Sequence, residues 1–419
     1  MAIDTHSFFL VIGLVIVIGF FGRLIKQRVF IPESLLLIAF GILLGPVLGI
    51  FPRETFYSWL PHVSVAAMVA VLIESGIEFD ISKLRSSLLK AGAFTLMVAC
   101  LTTILIGAIL IYFFEWNLWE AALVGVISSG TTTITAMSLL NSIRVGDKLK
   151  KFILLETILN DFTIIIGTFM IVELIKLSDL GLSGVAGTIL SEFSVAVTIA
   201  IIVSIGWRHI LTRISQKKEL SYASTMGICF LLYYFADYVG GNAIIAIFTF
   251  TLLLGNYSRI YKFIIKPKKK DTSMDRILRS IKSVQTDMTF FLASSFFVLL
   301  GVTFQPELFI TISPLIIICI VLSILAARYF SASLLSFFDK ELRGYQGIIT
   351  VMIPRGYVAA ILAFVPAEQG IDIPLITDIV LILILTTTMI AIIGTFIYSR
   401  FNHARIPNHL KRLSNKRRK

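Results

Sequence analysis

The sequence predicts an all-α polytopic membrane protein, and three observations carry that prediction. Hydrophobic residues fill 57% of 419 positions and charged residues only 15%, with a positive mean hydropathy, so more apolar surface is present than a water-soluble fold could cover. Apolar stretches of about 20 residues, the length that crosses a hydrocarbon core, recur from one end to the other. Lys and Arg gather in alternate connections between those stretches.

Thirteen segments can be placed, at 7–24, 31–50, 60–79, 89–114, 120–140, 152–174, 186–207, 221–239, 242–257, 284–303, 308–337, 345–366 and 374–399. The first lacks a basic stretch before it and a small-residue cleavage site after it, so it reads as a retained helix and not a signal peptide. Basic residues follow the odd-numbered segments: Arg23, Lys26 and Arg28 after the first; Lys83, Arg85 and Lys90 after the third; Arg144, Lys148, Lys150 and Lys151 after the fifth. The pattern continues through Arg208 to Lys218, Arg259 to Lys282, Lys340 with Arg343, and Arg400 to Lys419, so that 33 of the 37 basic residues share one side. The positive-inside rule then puts the N-terminus outside and the C-terminus in the cytoplasm of a cell-membrane protein, an alternation that an even number of crossings would break.

The net charge of +12 therefore belongs to loops and to a tail, Lys411 to Lys419, expected against anionic lipid headgroups and not nucleic acid. The connection from Ser258 to Lys282 is the longest and reads as a cytoplasmic link between two halves. Cys100, Cys229 and Cys319 lie in apolar runs without metal-ligand spacing and read as packing residues. No phosphate-binding loop, paired Cys or His arrangement, or nucleophile elbow occurs, which removes ATP-driven pumping and hydrolytic chemistry; the protein is expected not to be an enzyme and to need no cofactor. Transport driven by an ion gradient remains.

Polar residues at membrane depth mark where that transport would occur. Asn160 and Asp161 interrupt the apolar run from Phe152 to Val172, with Glu156 and Thr157 one turn before them, so the four form a polar face about one turn long. A charge at the bilayer centre costs about 2.5–3.5 kcal/mol, and acids kept there usually face an ion or proton path. The run Ser128-Ser129-Gly130-Thr131-Thr132-Thr133 favours an interrupted helix whose freed carbonyls hydroxyls or a cation can satisfy. Glu74, near the end of the third segment, lies deep enough to complete a cation site. Arg328 and Arg355 supply positive charge from the second half of the chain, Arg355 between Pro354 and Gly356 where the helix should open; Glu156 is the expected partner of Arg328. Each acid alone could be a satisfied packing group. Three acids and two arginines buried unpaired would cost on the order of 10 kcal/mol together, which favours function for the group.

Glu156-Thr157-Ile158-Leu159-Asn160-Asp161 resembles the Glu-Ser-x-Leu-Asn-Asp signature of the electroneutral monovalent cation:proton antiporters, especially archaeal and bacterial sodium/proton exchangers. The pieces Ile73 to Asp80, Gly240-Gly241-Asn242-Ala243 with Leu254-Gly255-Asn256, Phe296 to Gly301, and Pro354-Arg355-Gly356 follow in the family's order. The resemblance implies two inverted six-helix repeats, 1–184 and 220–402, around a linking seventh helix, 185–219, with a basic tail at 403–419 and interrupted, crossing fifth and twelfth segments. It also implies a homodimer. By the same carry-over Asp161 is the carboxylate that holds cation or proton, Thr157 and Thr131 are oxygen ligands, and Glu74 reaches the site directly or through water. Asn160 would be structural, held by Glu156, while Arg328 and Arg355 stabilise the site and Thr132 and Thr133 are additional candidates. One departure stands out: Thr131-Thr132-Thr133 replaces the family's frequent Thr-Asp-Pro, so an acid and a helix-breaking proline are missing. The implied activity is exchange of sodium or lithium for protons by alternating access, serving pH homeostasis, with potassium/proton exchange as the alternative and a cation channel as a further one.

Overall fold

The computed structural model describes residues 13–14, 16–17, 33–51, 56–57, 59–79, 87–177, 181–214, 218–257, 272–305, 307, 312–339 and 341–402. The segment expected at 7–24 falls almost wholly outside the described residues, and the tail at 403–419 entirely so. Among the described residues every regular element is helical. Seven helical spans among these residues, one of them (Leu118–Ser142) broken in the middle, are long and apolar enough to cross a membrane, and the protein is a multi-pass membrane protein.

The first half of the chain forms α1 (Glu33–Ile42, continued by a π turn over Leu43–Val47), α2 (Leu60–Glu78), α3 (Ser87–Phe114), α4 (Leu118–Ser128), α5 (Thr133–Ser142) and α6 (Asp147–Lys176). Next come α7 (Gly181–Ile214), α8 (Lys218–Tyr238), α9 (Ala243–Gly255) and α10 (Thr272–Val302). The chain then forms α11 (Pro314–Phe338), the short helices α12 (Gln346–Val351), α13 (Tyr357–Leu362) and α14 (Val365–Glu368), and α15 (Ile376–Asn402). The Gly-Thr and Pro-Arg-Gly runs do interrupt their helices, splitting α4 from α5 and α12 from α13.

Two expected boundaries are corrected. The link from Ser258 to Lys282 is not all loop, because α10 begins at Thr272 and runs for 31 residues with polar side chains along its first turns. The segment placed from 308 begins instead at Pro314, where the missing proline N–H suits the first helical position.

Helices pack in two groups, each drawing on both halves of the chain. In one, α10 lies against α1 and α2, and α9 against α2, α7 and α8. In the other, α3 contacts α4, α6 and α11, while α15 lies against α12, α13, α4 and α5. The first group is drawn together by glycines at backbone contact: a Cβ on Gly301 would stand 2.3 Å from the Ile38 carbonyl, and one on Gly255 2.7 Å from that of Ile77. Lipid offers helices no hydrophobic gain on association, so such close approach and interhelical hydrogen bonds carry the packing. Asn256, beside Gly255, donates to the Phe79 carbonyl at 2.6 Å, and Asn242 caps α9 through the Ile244 and Ile245 N–H groups.

Candidate ion-exchange site

The two helix breaks cross each other. Thr132 N–H donates to the Pro354 carbonyl at 2.9 Å, and Gly356 lies so close that a Cβ there would stand 2.4 Å from the Thr132 Cβ. Four helix ends meet at this point, from α4, α5, α12 and α13, and each leaves polar backbone groups without intrahelical partners.

The long uninterrupted helix α6 supplies those partners. Asn160 Oδ1 accepts from Thr131 N–H at 2.7 Å and its Nδ2 donates to the Ser129 carbonyl at 3.2 Å, so one side chain binds the break on both sides of Gly130. The Thr131 hydroxyl donates to Glu156 at 3.1 Å. Asn160 is therefore not held by Glu156, as the resemblance implied; both residues bind the break, with Thr131 between them. On the adjacent strip of the helix, Thr133 donates its hydroxyl to that of Thr157 at 2.9 Å, and Thr157 donates to the Leu154 carbonyl.

Glu156 and Arg328 form the charge pair expected for them. The guanidinium donates from Nη1 and Nη2 to the two carboxylate oxygens at 2.9 and 3.1 Å, and its Nε donates to the Ile349 carbonyl near the end of α12. Both side chains are essentially inaccessible, at 0% and 1%. A two-point pair of this kind offsets the cost of burying either charge alone, and a cation beside the carbonyl end of a helix is favourable. Phe94 lies 5.4 Å from the guanidinium carbon, and Thr95 donates to the Glu156 backbone carbonyl.

Asp161 and Arg355 are left outside this network. Asp161 is 8% exposed and has no hydrogen-bond or ion-pair partner among the described residues. Arg355 is buried, donates from Nη1 to the Ile353 carbonyl, and has no partner for Nε among the described residues. Half-buried Glu74 lines a cavity of 230 Å³ between the two helix groups, with Thr132 and Gly356 from the breaks in its wall. Asp161 is not in that wall. The next residue, Phe162, packs its ring on Phe79 and on Phe248, 5.3 and 4.2 Å between centroids, and so joins the acid-bearing helix to α2 and α9.

Ser129 was marked in sequence as part of the break, whereas several further contributors were not singled out: Thr95, Phe162, Thr387, which accepts from Arg355 N–H, and the pair Ser64 and Glu368, 2.8 Å apart, which links α2 to α14. Ser129 acts through its carbonyl, which side-chain identity does not reveal. The others became visible only when helices distant in sequence were brought into contact.

Crossed broken helices braced by a membrane-buried Asn beside an unpaired Asp define a secondary transporter architecture. The sequence profile of the family described as sodium/hydrogen exchanger, transmembrane, matches residues 11–400, and the chain belongs to that family. Among solved structures, the sodium proton antiporter MjNhaP1 of Methanocaldococcus jannaschii at pH 8 superposes with a TM-score of 0.73 at 19% identity, covering 94% of this chain and 97% of that one, so the fold is shared. In sequence, the chain is 25% identical over 312 residues to the K(+)/H(+) antiporter NhaP2 of Shewanella sp. (strain MR-4), covering 73% of this chain and 50% of that protein. It is 24% identical over 311 residues to the Probable Na(+)/H(+) antiporter 2 of M. jannaschii, covering 73% and 71%. The chain thus spans about half the length of the Shewanella relatives it matches.

Proposed function

We propose that the protein exchanges a monovalent cation for protons across the cell membrane by alternating access, with Asp161 binding either species in turn. The observation that carries this reading is the contrast within one helix: Glu156, Thr157 and Asn160 are committed to hydrogen bonds, whereas the Asp161 carboxylate next to them has no such partner among the described residues. A carboxylate free to bind one cation or one proton couples the two gradients without another energy source. Formal charge supports one-for-one exchange. Glu156 is neutralised by Arg328, and the Asp161 carboxylate beside it carries one negative charge, which one proton or one monovalent cation neutralises.

Glu74 would approach the ion from the cavity, with Thr157 contributing the hydroxyl lone pair left beyond its bonds to Thr133 and Leu154, and Thr131 its carbonyl. Thr132 and Thr133 line the approach, while Asn160, Glu156, Arg328 and Arg355 hold the crossing. Sodium, or lithium, is the favoured cargo on the Asn-Asp motif. Potassium is the second reading, because relatives of similar identity carry names for either ion. We further propose a homodimer with its N-terminus outside and its basic loops and tail against anionic lipid, and inverted repeats at 1–184 and 220–402 around 185–219.

The test is internal pH in proteoliposomes as sodium, lithium or potassium is added in turn, with membrane current recorded in parallel. Cation-coupled pH change without current is expected, and current through a continuous pore would support a channel instead. Asp161→Asn should abolish exchange while the purified protein stays folded; persisting exchange would remove Asp161 from the mechanism.

A further inference from the structure

Helix α2 carries Glu74, and its carbonyl groups on either side of that residue receive side-chain hydrogen bonds from two other helices. Asn256, at the end of α9, donates to the Phe79 carbonyl, and the Thr251 hydroxyl of α9, which donates first to the Ile247 carbonyl of its own helix, lies 3.3 Å from that of Leu72. On the α10 side, Gln285 Nε2 donates to the Ala70 carbonyl at 2.8 Å and to the Thr289 hydroxyl at 3.1 Å, and that hydroxyl also reaches the Ala70 carbonyl at 3.3 Å. Ala70 stands one turn before Glu74 on the same strip of the helix, so these bonds fix the turn from which the carboxylate projects.

Gln285 differs from the other tethers. It is 1% exposed, and its Oε1 is buried without a partner among the described residues. The amide cannot be turned to relieve this, because the Ala70 carbonyl can accept only from the nitrogen. An orphaned buried acceptor is unfavourable, and a leucine of similar size would avoid it, so its presence calls for a role beyond packing. Thr289, which shares the bond, lines the cavity together with Glu74.

We infer that Gln285, acting with Thr289, is a positioning residue for cation binding: the pair fixes the turn of α2 so that Glu74 faces the crossing of the broken helices. This inference rests on the reading that Glu74 belongs to the ion site. Removing the tether misplaces one ligand without touching Asp161, so cation affinity falls while the exchange cycle survives.

The test uses the full chain in proteoliposomes, with sodium and potassium titrated against exchange rate. Gln285→Leu and Thr289→Val should raise the half-saturating cation concentration about tenfold with the maximal rate within about twofold, whereas Thr289→Ser, which keeps the hydroxyl, restores the wild-type value. In a Glu74→Gln background, itself shifted, Gln285→Leu should add nothing. If Glu74→Gln raises the half-saturating concentration but neither Gln285→Leu nor Thr289→Val does, the positioning role is overturned and the site stands. If Glu74→Gln changes nothing, Glu74 leaves the site and the inference goes with it. Should Gln285→Leu not fold, Thr289→Val against Thr289→Ser decides the question alone.

Discussion

At the first break the chain runs Ser129-Gly130-Thr131-Thr132 without proline, and its backbone is held from outside by Asn160 and Glu156 of α6. At the second it runs Met352-Ile353-Pro354-Arg355-Gly356 and largely holds itself. Pro354 has no N–H to satisfy, Arg355 turns back to the Ile353 carbonyl, and outside help comes from Thr387 and from Thr132 across the crossing. The difference shows what replaces the missing Thr-Asp-Pro. Without a proline, the first break takes its shape from the same helix that carries Asp161, so the acid and the broken backbone beside it are positioned as one unit.

The strongest way to break this contrast is to remove the charge that anchors the first break. Arg328→Met leaves the Glu156 carboxylate buried with only Thr131 as donor among the described residues and should cost about 3–5 kcal/mol of stability, seen as a large drop in unfolding temperature in detergent. Asn160→Leu, which strips partners from both Ser129 and Thr131, should cost about 3 kcal/mol, against about 1 kcal/mol for Thr387→Val at the second break. Equal costs would mean that the breaks are held alike.

Glycines sharpen the comparison further. A methyl on Gly356 would meet the stiff Cβ of Thr132 at 2.4 Å, whereas one on Gly130 meets the movable end of Ile164 at 2.7 Å. Gly356→Ala should therefore cost about 2 kcal/mol and not be recovered by Thr132→Ser, which keeps the Cβ and hydroxyl in contact, while Gly130→Ala costs well under that. Thermal unfolding of the three variants checks the order.

A small effect is expected away from both breaks. Beyond the end of α11, Asp339 accepts from Lys90 at 2.8 Å and Lys148 at 3.0 Å, drawing the ends of α3 and α6 to α11. Those bonds, that of Lys90 first, hold its carboxyl at about 2, below the usual 3.8. Because the folded value is the depressed one, the stabilisation is full above 3.8 and is lost as pH falls toward 2. Asp339→Asn should lower stability by about 1 kcal/mol at pH 5 to 8, the two lysines being half exposed, and the gap from wild type should close between 3.8 and 2.

Glu156 and Arg328 could be paired from sequence because two deep charges of opposite sign have few other ways to be buried. Asn160 could be marked as structural, yet its partners could not be named, since they are backbone groups on another helix. Gln285 sat at the edge of a segment placed from 284, and only the extension of α10 back to Thr272 set it inside a helix against Ala70.

Apolar length and the alternation of basic loops were enough to determine a multi-pass helical protein, and glycine, hydroxyl and proline runs were enough to locate its two breaks, because these follow from bilayer thickness and local backbone chemistry. Only tertiary structure decided which hydrogen bonds close each break, that Asp161 alone of its polar strip stays uncommitted, and that Glu74 meets the crossing across a cavity. Those outcomes depend on contacts between helices far apart in the chain, whose geometry no local pattern encodes.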